Sequence, residues 1–146
     1  MYEKTYKAVS RKNGDLATEV QARQHLIQID EPLEQGGQDT GMNPIELLLS
    51  SVAACETLTI ALYAQQLGIE LEDLQVEVEG DLDSAGMMGI GGFRSGLTQI
   101  RTNVKIKSNA KKSDLDMLIT VMEARCPARD SVGNGVEFAK PILTIE

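Results

Sequence analysis

Two cysteines, Cys55 and Cys126, are the side chains of this sequence best placed for covalent chemistry. Cys55 lies in the apolar run Asn43-Pro-Ile-Glu-Leu-Leu-Leu-Ser-Ser-Val-Ala-Ala-Cys55, and Cys126 stands in Glu-Ala-Arg-Cys-Pro-Ala-Arg-Asp-Ser. A thiol attacks as its thiolate. Cys55 falls about three turns into an expected helix, too deep for the positive end of the helix dipole to favour that thiolate. A cation would have to do so, and Arg11, Lys12, Arg94, Arg125 and Arg129 are the candidates. Cys126 falls at the C-terminal end of a second expected helix, where the dipole disfavours a thiolate, so it suits a resolving thiol better than an attacking one. The plainer reading of each cysteine is a small buried hydrophobe.

Other chemistry is less well supported. Nine positions separate Glu46 from Cys55, roughly 900° of helical rotation, which puts them on opposite faces. Glu46 reads better as a helix cap. His25 is the only histidine and alternates within a strand pattern. A thiol hydrolase would need it beside Cys55, whereas an edge or surface position is the simpler assignment. Two cysteines 71 positions apart and one distant histidine do not make a zinc motif. Gly89-Ile-Gly91-Gly92 lacks the spacing and the strand-to-helix setting of a nucleotide fingerprint. Met42, Met87 and Met88 are available to line an adaptable apolar pocket or simply to fill space.

The elements that must hold these residues follow from pattern. Partial alternation over Thr5–Val9, Leu16–Ala22 and His25–Ile29 predicts strands, with Asn13-Gly14 turning between the first two. A polar, glycine-bearing loop runs from Asp30 to Gly41. Asn43 as cap, Pro44 at the first helical position and Glu46 three after the cap open a long helix that Gly68 closes. Its apolar residues cover more than one stripe, so it must be buried on most sides. One chain of 146 residues would struggle to surround it, and a partner subunit is the natural source of extra cover. Leu74–Gly80 and Ile100–Ile106 alternate as strands. Between them, Ser84 to Gly96 carries five glycines and reads as a mobile loop. A second helix runs from Ser113 to Cys126, stopped by Pro127, and a last strand covers Val136–Ile145. About six strands and two helices in this order give an α+β fold in a single domain, residues 1–146.

Composition narrows the function classes. With 14 basic and 22 acidic residues the net charge is −8, a poor basis for gripping nucleic-acid phosphates. There is no basic amphipathic segment for a membrane surface. The run near residues 45–64 is interrupted by Glu46, Ser50, Ser51, Glu56 and Thr57, which argues against a membrane span. The opening residues lack the apolar core of a signal peptide. The expectation is a cytoplasmic protein, where cysteines are free or redox-active more often than structurally bridged.

The motifs Gly41-Met-Asn43-Pro44-Ile-Glu46-Leu-Leu-Leu, Ala53-Ala-Cys55, Gly96-Leu-Thr-Gln-Ile-Arg101, Arg125-Cys126-Pro127 and Asn134-Gly135-Val136 resemble the OsmC/Ohr family, the osmotically inducible and organic hydroperoxide resistance proteins. The resemblance implies strands wrapped around a long central helix in an intertwined homodimer. It also implies reduction of small organic hydroperoxides without metal or organic cofactor. By this resemblance Cys55 is the peroxidatic cysteine, passing through a sulfenic acid, and Cys126 resolves it to a disulfide that a dithiol reductant resets. In the peroxidase members an Arg before the first hairpin turn, paired to a Glu directly after Asn-Pro, holds the attacking thiol. Here Lys12 precedes the turn, with Arg11 before it, and Ile45 follows Pro44. Lys12 keeps the charge without the bidentate fork. The uncharged Ile45 motivates an alternative, a non-catalytic or thiol-sensing small-ligand-binding protein on the same scaffold.

Overall fold

The computed structural model describes residues 2–146, which divide into two compact units, up to Leu48 and from Leu49 onward. The N-terminal unit is a three-stranded antiparallel sheet in the order β1 (Val9–Lys12), β2 (Thr18–Ala22), β3 (His25–Ile29). The Asn13-Gly14 turn joins β1 to β2 as expected. The first strand, however, runs Val9–Lys12 instead of Thr5–Val9, and the second begins at Thr18 instead of Leu16.

Asp30, directly after β3, organises the polar loop that follows. Its buried carboxylate accepts the backbone N–H of Glu31 (2.8 Å), Gln38 (3.3 Å) and Thr40 (3.2 Å) and the Thr40 hydroxyl (2.7 Å). Four donors on one acceptor group satisfy it without a counter-charge. The winding is tight enough to require glycine at two points. A Cβ on Gly37 would collide with the Glu31 carbonyl, and one on Gly41 with the Gln28 carbonyl.

Helix α1 (Pro44–Gln66) opens on the expected capping box. The Asn43 Oδ1 accepts the Glu46 N–H at 2.8 Å, and the Glu46 Oε1 accepts the Asn43 N–H at 3.4 Å. The chain buries only part of this helix: Val52, Glu56, Thr59, Ile60 and Ala64. Leu58 is 70% and Leu62 51% exposed. By length and composition α1 would suffice to cross a bilayer, with mean hydropathy 1.7 in its most apolar window despite the polar interruptions.

In the C-terminal unit, β4 (Asp73–Leu82) and β5 (Leu97–Lys107) form a long antiparallel hairpin. Strict alternation gives it two faces. Leu74, Val76, Val78, Ile100, Thr102, Val104 and Ile106 are the half-buried set. The other face carries Glu79, Asp81 and Arg101, which pair at 2.7–2.9 Å. These are exposed bridges of small energetic weight. Gly80 leaves room for Leu49 of α1, since a Cβ there would lie 3.1 Å from the Leu49 side chain.

Three expectations are corrected here. The glycine-rich connection between the strands contains a short helix, α2 (Ser84–Met87), capped by Asp83. Two helices do not suffice: α3 (Lys112–Arg125) stops before Pro127 as expected, with Cys126 extended, but a further helix, α4 (Pro127–Asn134), follows at once with Pro127 as its first residue. The segment Val136–Ile145 forms no strand and pairs with none of the described strands. Its Phe138 and Ile142 are 93% and 94% exposed. The buried core of this unit is Ile60 and Ala64 of α1, Leu118 and Met122 of α3, and Cys126.

Two expected outcomes test this architecture. Asn43→Ala removes the cap acceptor and costs about 1 kcal/mol in urea unfolding. The hydrogen bonds led by Thr40 hold the Asp30 carboxyl below its ordinary value. An aspartate depressed in the folded state stabilises the fold above the unfolded value of about 4, and that contribution is lost as pH falls through the lower folded value. Asp30→Asn therefore lowers the urea midpoint at pH 7, and the deficit shrinks toward pH 3.

Candidate active site

Cys55 and Glu56 are consecutive residues of α1, about 100° apart around its axis, so they address different surroundings. Cys55 is half-buried and packs on the core cluster that contains Cys126. Its carbonyl accepts the Thr59 hydroxyl at 2.7 Å. Glu56 is 0% exposed. Its Oε1 is 2.8 Å from Nη1 of Arg129 on α4, and the hydroxyl of Thr102 on β5 lies 3.2 and 3.0 Å from its two oxygens. Thr102 is the one hydroxyl on the half-buried face of the hairpin, so its placement there is matched by a buried acceptor. No buried side-chain polar atom among the described residues lacks a hydrogen-bond partner. Removing one partner of a buried ion pair typically costs about 3–5 kcal/mol, because the other charge is left desolvated.

Cys126 is the single residue between α3 and α4. Its N–H donates to the Met122 carbonyl at 2.9 Å, closing α3, and its own carbonyl accepts the Asp130 N–H at 3.0 Å, opening α4. The sequence placed it only at the negative end of a helix dipole. The structure adds the positive end of a second helix beside it, so the two dipoles oppose each other. Burial decides the balance and pushes the Cys126 thiol upward. The Arg129 N–H pulls the other way, while the Cys55 thiol and the negative charge of Glu56 raise it further. Cys126 is therefore a buried thiol that burial keeps protonated, beside a second free thiol that is only partly buried.

The other residues singled out from the sequence are spread over both units. Arg11 and Lys12 are exposed on β1 of the N-terminal unit. Lys12 lines a cavity of about 270 Å³ there with Ser10, Asp15, Thr18 and Asp30. His25 is exposed on β3, opposite Ala22. Glu46 serves the α1 cap. Arg94 and Arg125 are exposed, and of the five candidate cations Arg129 is the one paired with the buried carboxylate. Among the described residues no three His, Cys, Asp or Glu side chains converge as a metal site.

Sequence reading missed Glu56 and Thr102 as site residues. A signal for Glu56 existed: an acidic residue directly after Cys55, within an apolar stretch of helix, has to be neutralised by something. Arg129, three residues after Cys126, supplies the matching charge.

Comparison with known proteins agrees with this arrangement of helices and strands. Over 116 residues the chain is 29% identical to YmaD, an uncharacterised protein of Bacillus subtilis (strain 168), covering 77% of this chain and 75% of that protein. It is 29% identical over 92 residues to a hydroperoxide reductase of Mycoplasma pneumoniae, covering 63% of this chain and 62% of the relative. The crystal structure of an OsmC-like protein from Mycoplasma pneumoniae superposes with a TM-score of 0.77 at 27% identity, over 90% of this chain and 89% of the other. The family described as OsmC-like protein matches residues 36–139, and with both cysteines and the whole Glu56–Arg129–Thr102 cluster inside that match, the chain belongs to the OsmC-like protein family.

Proposed function

We propose that this protein is a thiol-dependent peroxidase that reduces small organic hydroperoxides in oxidative stress defence. The observation that carries the reading is the pair of neighbouring free thiols, one half-open and one buried and protonated. The Cys55 thiolate attacks the terminal peroxide oxygen, an S–O bond forms as the O–O bond breaks, and the alkoxide leaves as the alcohol after taking a proton. Cys55 is then a sulfenic acid. The Cys126 sulfur displaces the sulfenic oxygen, which leaves as water, and a Cys55–Cys126 disulfide forms. A dithiol reductant returns both thiols by exchange. No metal or organic cofactor takes part. By the family resemblance, Arg11 or Lys12 is the cation assigned to the attacking sulfur. The name of the Mycoplasma pneumoniae relative, hydroperoxide reductase, supports this chemistry at 29% identity.

The working form is an intertwined homodimer in the cytoplasm. Leu58 and Leu62 on α1, together with Phe138, Ile142 and Leu143 beyond α4, leave an apolar surface that one chain does not cover. A second copy covers it at a gain of about 25 cal/mol per Å² of apolar surface removed from water. The protein is expected to sediment at twice the chain mass, and removal of residues 136–146 to return it to the monomer.

The chemistry is tested by titrating reduced protein with cumene hydroperoxide and weighing it under non-reducing conditions. The wild type loses both thiols and gains one intrachain disulfide. Cys55→Ser consumes no peroxide, and Cys126→Ser consumes one equivalent and stops at the sulfenic acid. Two unreacted thiols under excess peroxide would favour the binding-protein alternative, in which the uncharged Ile45 marks a scaffold without turnover.

A further inference from the structure

We infer that Glu56 and Arg129 are a positioning pair for the resolving step, holding the Cys126 sulfur against Cys55 while the sulfenic acid waits. The inference rests on the peroxidase reading and assigns it residues that take no part in the bond making. Three observations support it. Glu56 is the residue after the attacking cysteine, and Arg129 is the third residue of the helix that the resolving cysteine precedes, so their 2.8 Å ion pair ties the two sulfur-bearing segments together.

The second observation is how little else holds α4. None of its eight residues is fully buried, and its C-terminal neighbour Gly135 leads directly into the irregular, exposed tail. Ala128 rests on the core cluster, and the Arg129 guanidinium, 39% exposed, is the group that reaches inward. The third is that the anchor itself cannot wander. Glu56 is fully buried, and Thr102 holds both its oxygens from the hairpin. A fixed carboxylate is therefore clamping a lightly held helix whose first backbone carbonyl belongs to Cys126.

Condensation of a thiol with a sulfenic acid needs the incoming sulfur close and in line with the S–O bond. Misplacement by about 1 Å can cost about a hundredfold in rate. A helix pinned at its third residue keeps its start in place, whereas an unpinned one lets Cys126 drift from Cys55. The first step, attack on the peroxide, uses only Cys55 and should not depend on the clamp.

The test follows the two steps separately in stopped flow with cumene hydroperoxide: appearance of the sulfenic acid by dimedone trapping, and its conversion to the disulfide by quenched non-reducing mass spectrometry. In Arg129→Gln the attack rate stays within about threefold of wild type and disulfide formation slows about tenfold or more. Arg129→Lys, which can still place one N–H on Oε1, restores most of the rate. Since Arg129→Gln leaves a buried charge, the double variant Glu56→Met/Arg129→Met serves as a folded control, because replacing both partners by apolar groups is often neutral for stability. It too should resolve slowly. If the wild type forms no disulfide, the peroxidase reading falls. If the wild type forms it and both the single and the double variants match its rate, the positioning role falls while the peroxidase reading stands.

Discussion

A carboxylate with no exposure to water, set in the middle of an apolar helix, constrains everything around it. Glu56 must be neutralised where it stands, and the groups that neutralise it come from β5 and α4, respectively 46 and 73 positions away in sequence. The pair is not a cheap source of stability, since an apolar side chain of similar size would avoid the desolvation cost. What it supplies is geometry. Helix α1, the β4–β5 hairpin and the α3–α4 junction are brought to one point by donors and acceptors that tolerate few alternatives.

The two thiols inherit their different characters from that arrangement. Cys55 lies beside Glu56 on the same helix yet turns about 100° away from it, toward a half-open position. Cys126 lies inside the apolar cluster with Ile60, Leu118 and Met122, and burial keeps its proton on. Packing, more than charge, leaves one sulfur partly exposed and the other buried.

Much of this was legible in the sequence, for reasons that differ between elements. The start of α1 could be read because a capping box is a local motif, complete within Asn43–Glu46. The β4–β5 hairpin could be read because a period of two reports a half-buried sheet directly. Pro127 was read as the stop of α3, which it is, but not as the start of α4, because a proline suits the first turn of one helix as well as the end of another, and the carbonyl of Cys126 accepting Asp130 shows that it does both. The tail beyond Gly135 alternates well enough for a strand, but alternation alone does not pair a strand, and this segment joins neither described sheet. Glu56 was seen merely as an interruption of an apolar run, since the partners that give it meaning are remote in sequence. The expectation that α1 is buried on most sides is not met within one chain, which leaves Leu58 and Leu62 exposed.

The position of Cys126 has a mechanical consequence. Both of its backbone hydrogen-bonding groups are committed, the N–H to the last turn of α3 and the carbonyl to the first turn of α4. The side chain is its only free lever. Any force applied at that sulfur, by a new bond or by an inserted oxygen, is transmitted to two helix ends at once, with no slack loop between them to absorb it. The junction therefore acts as a strain gauge, passing a change in the bonding of one sulfur to the terminal backbone hydrogen bonds of both helices.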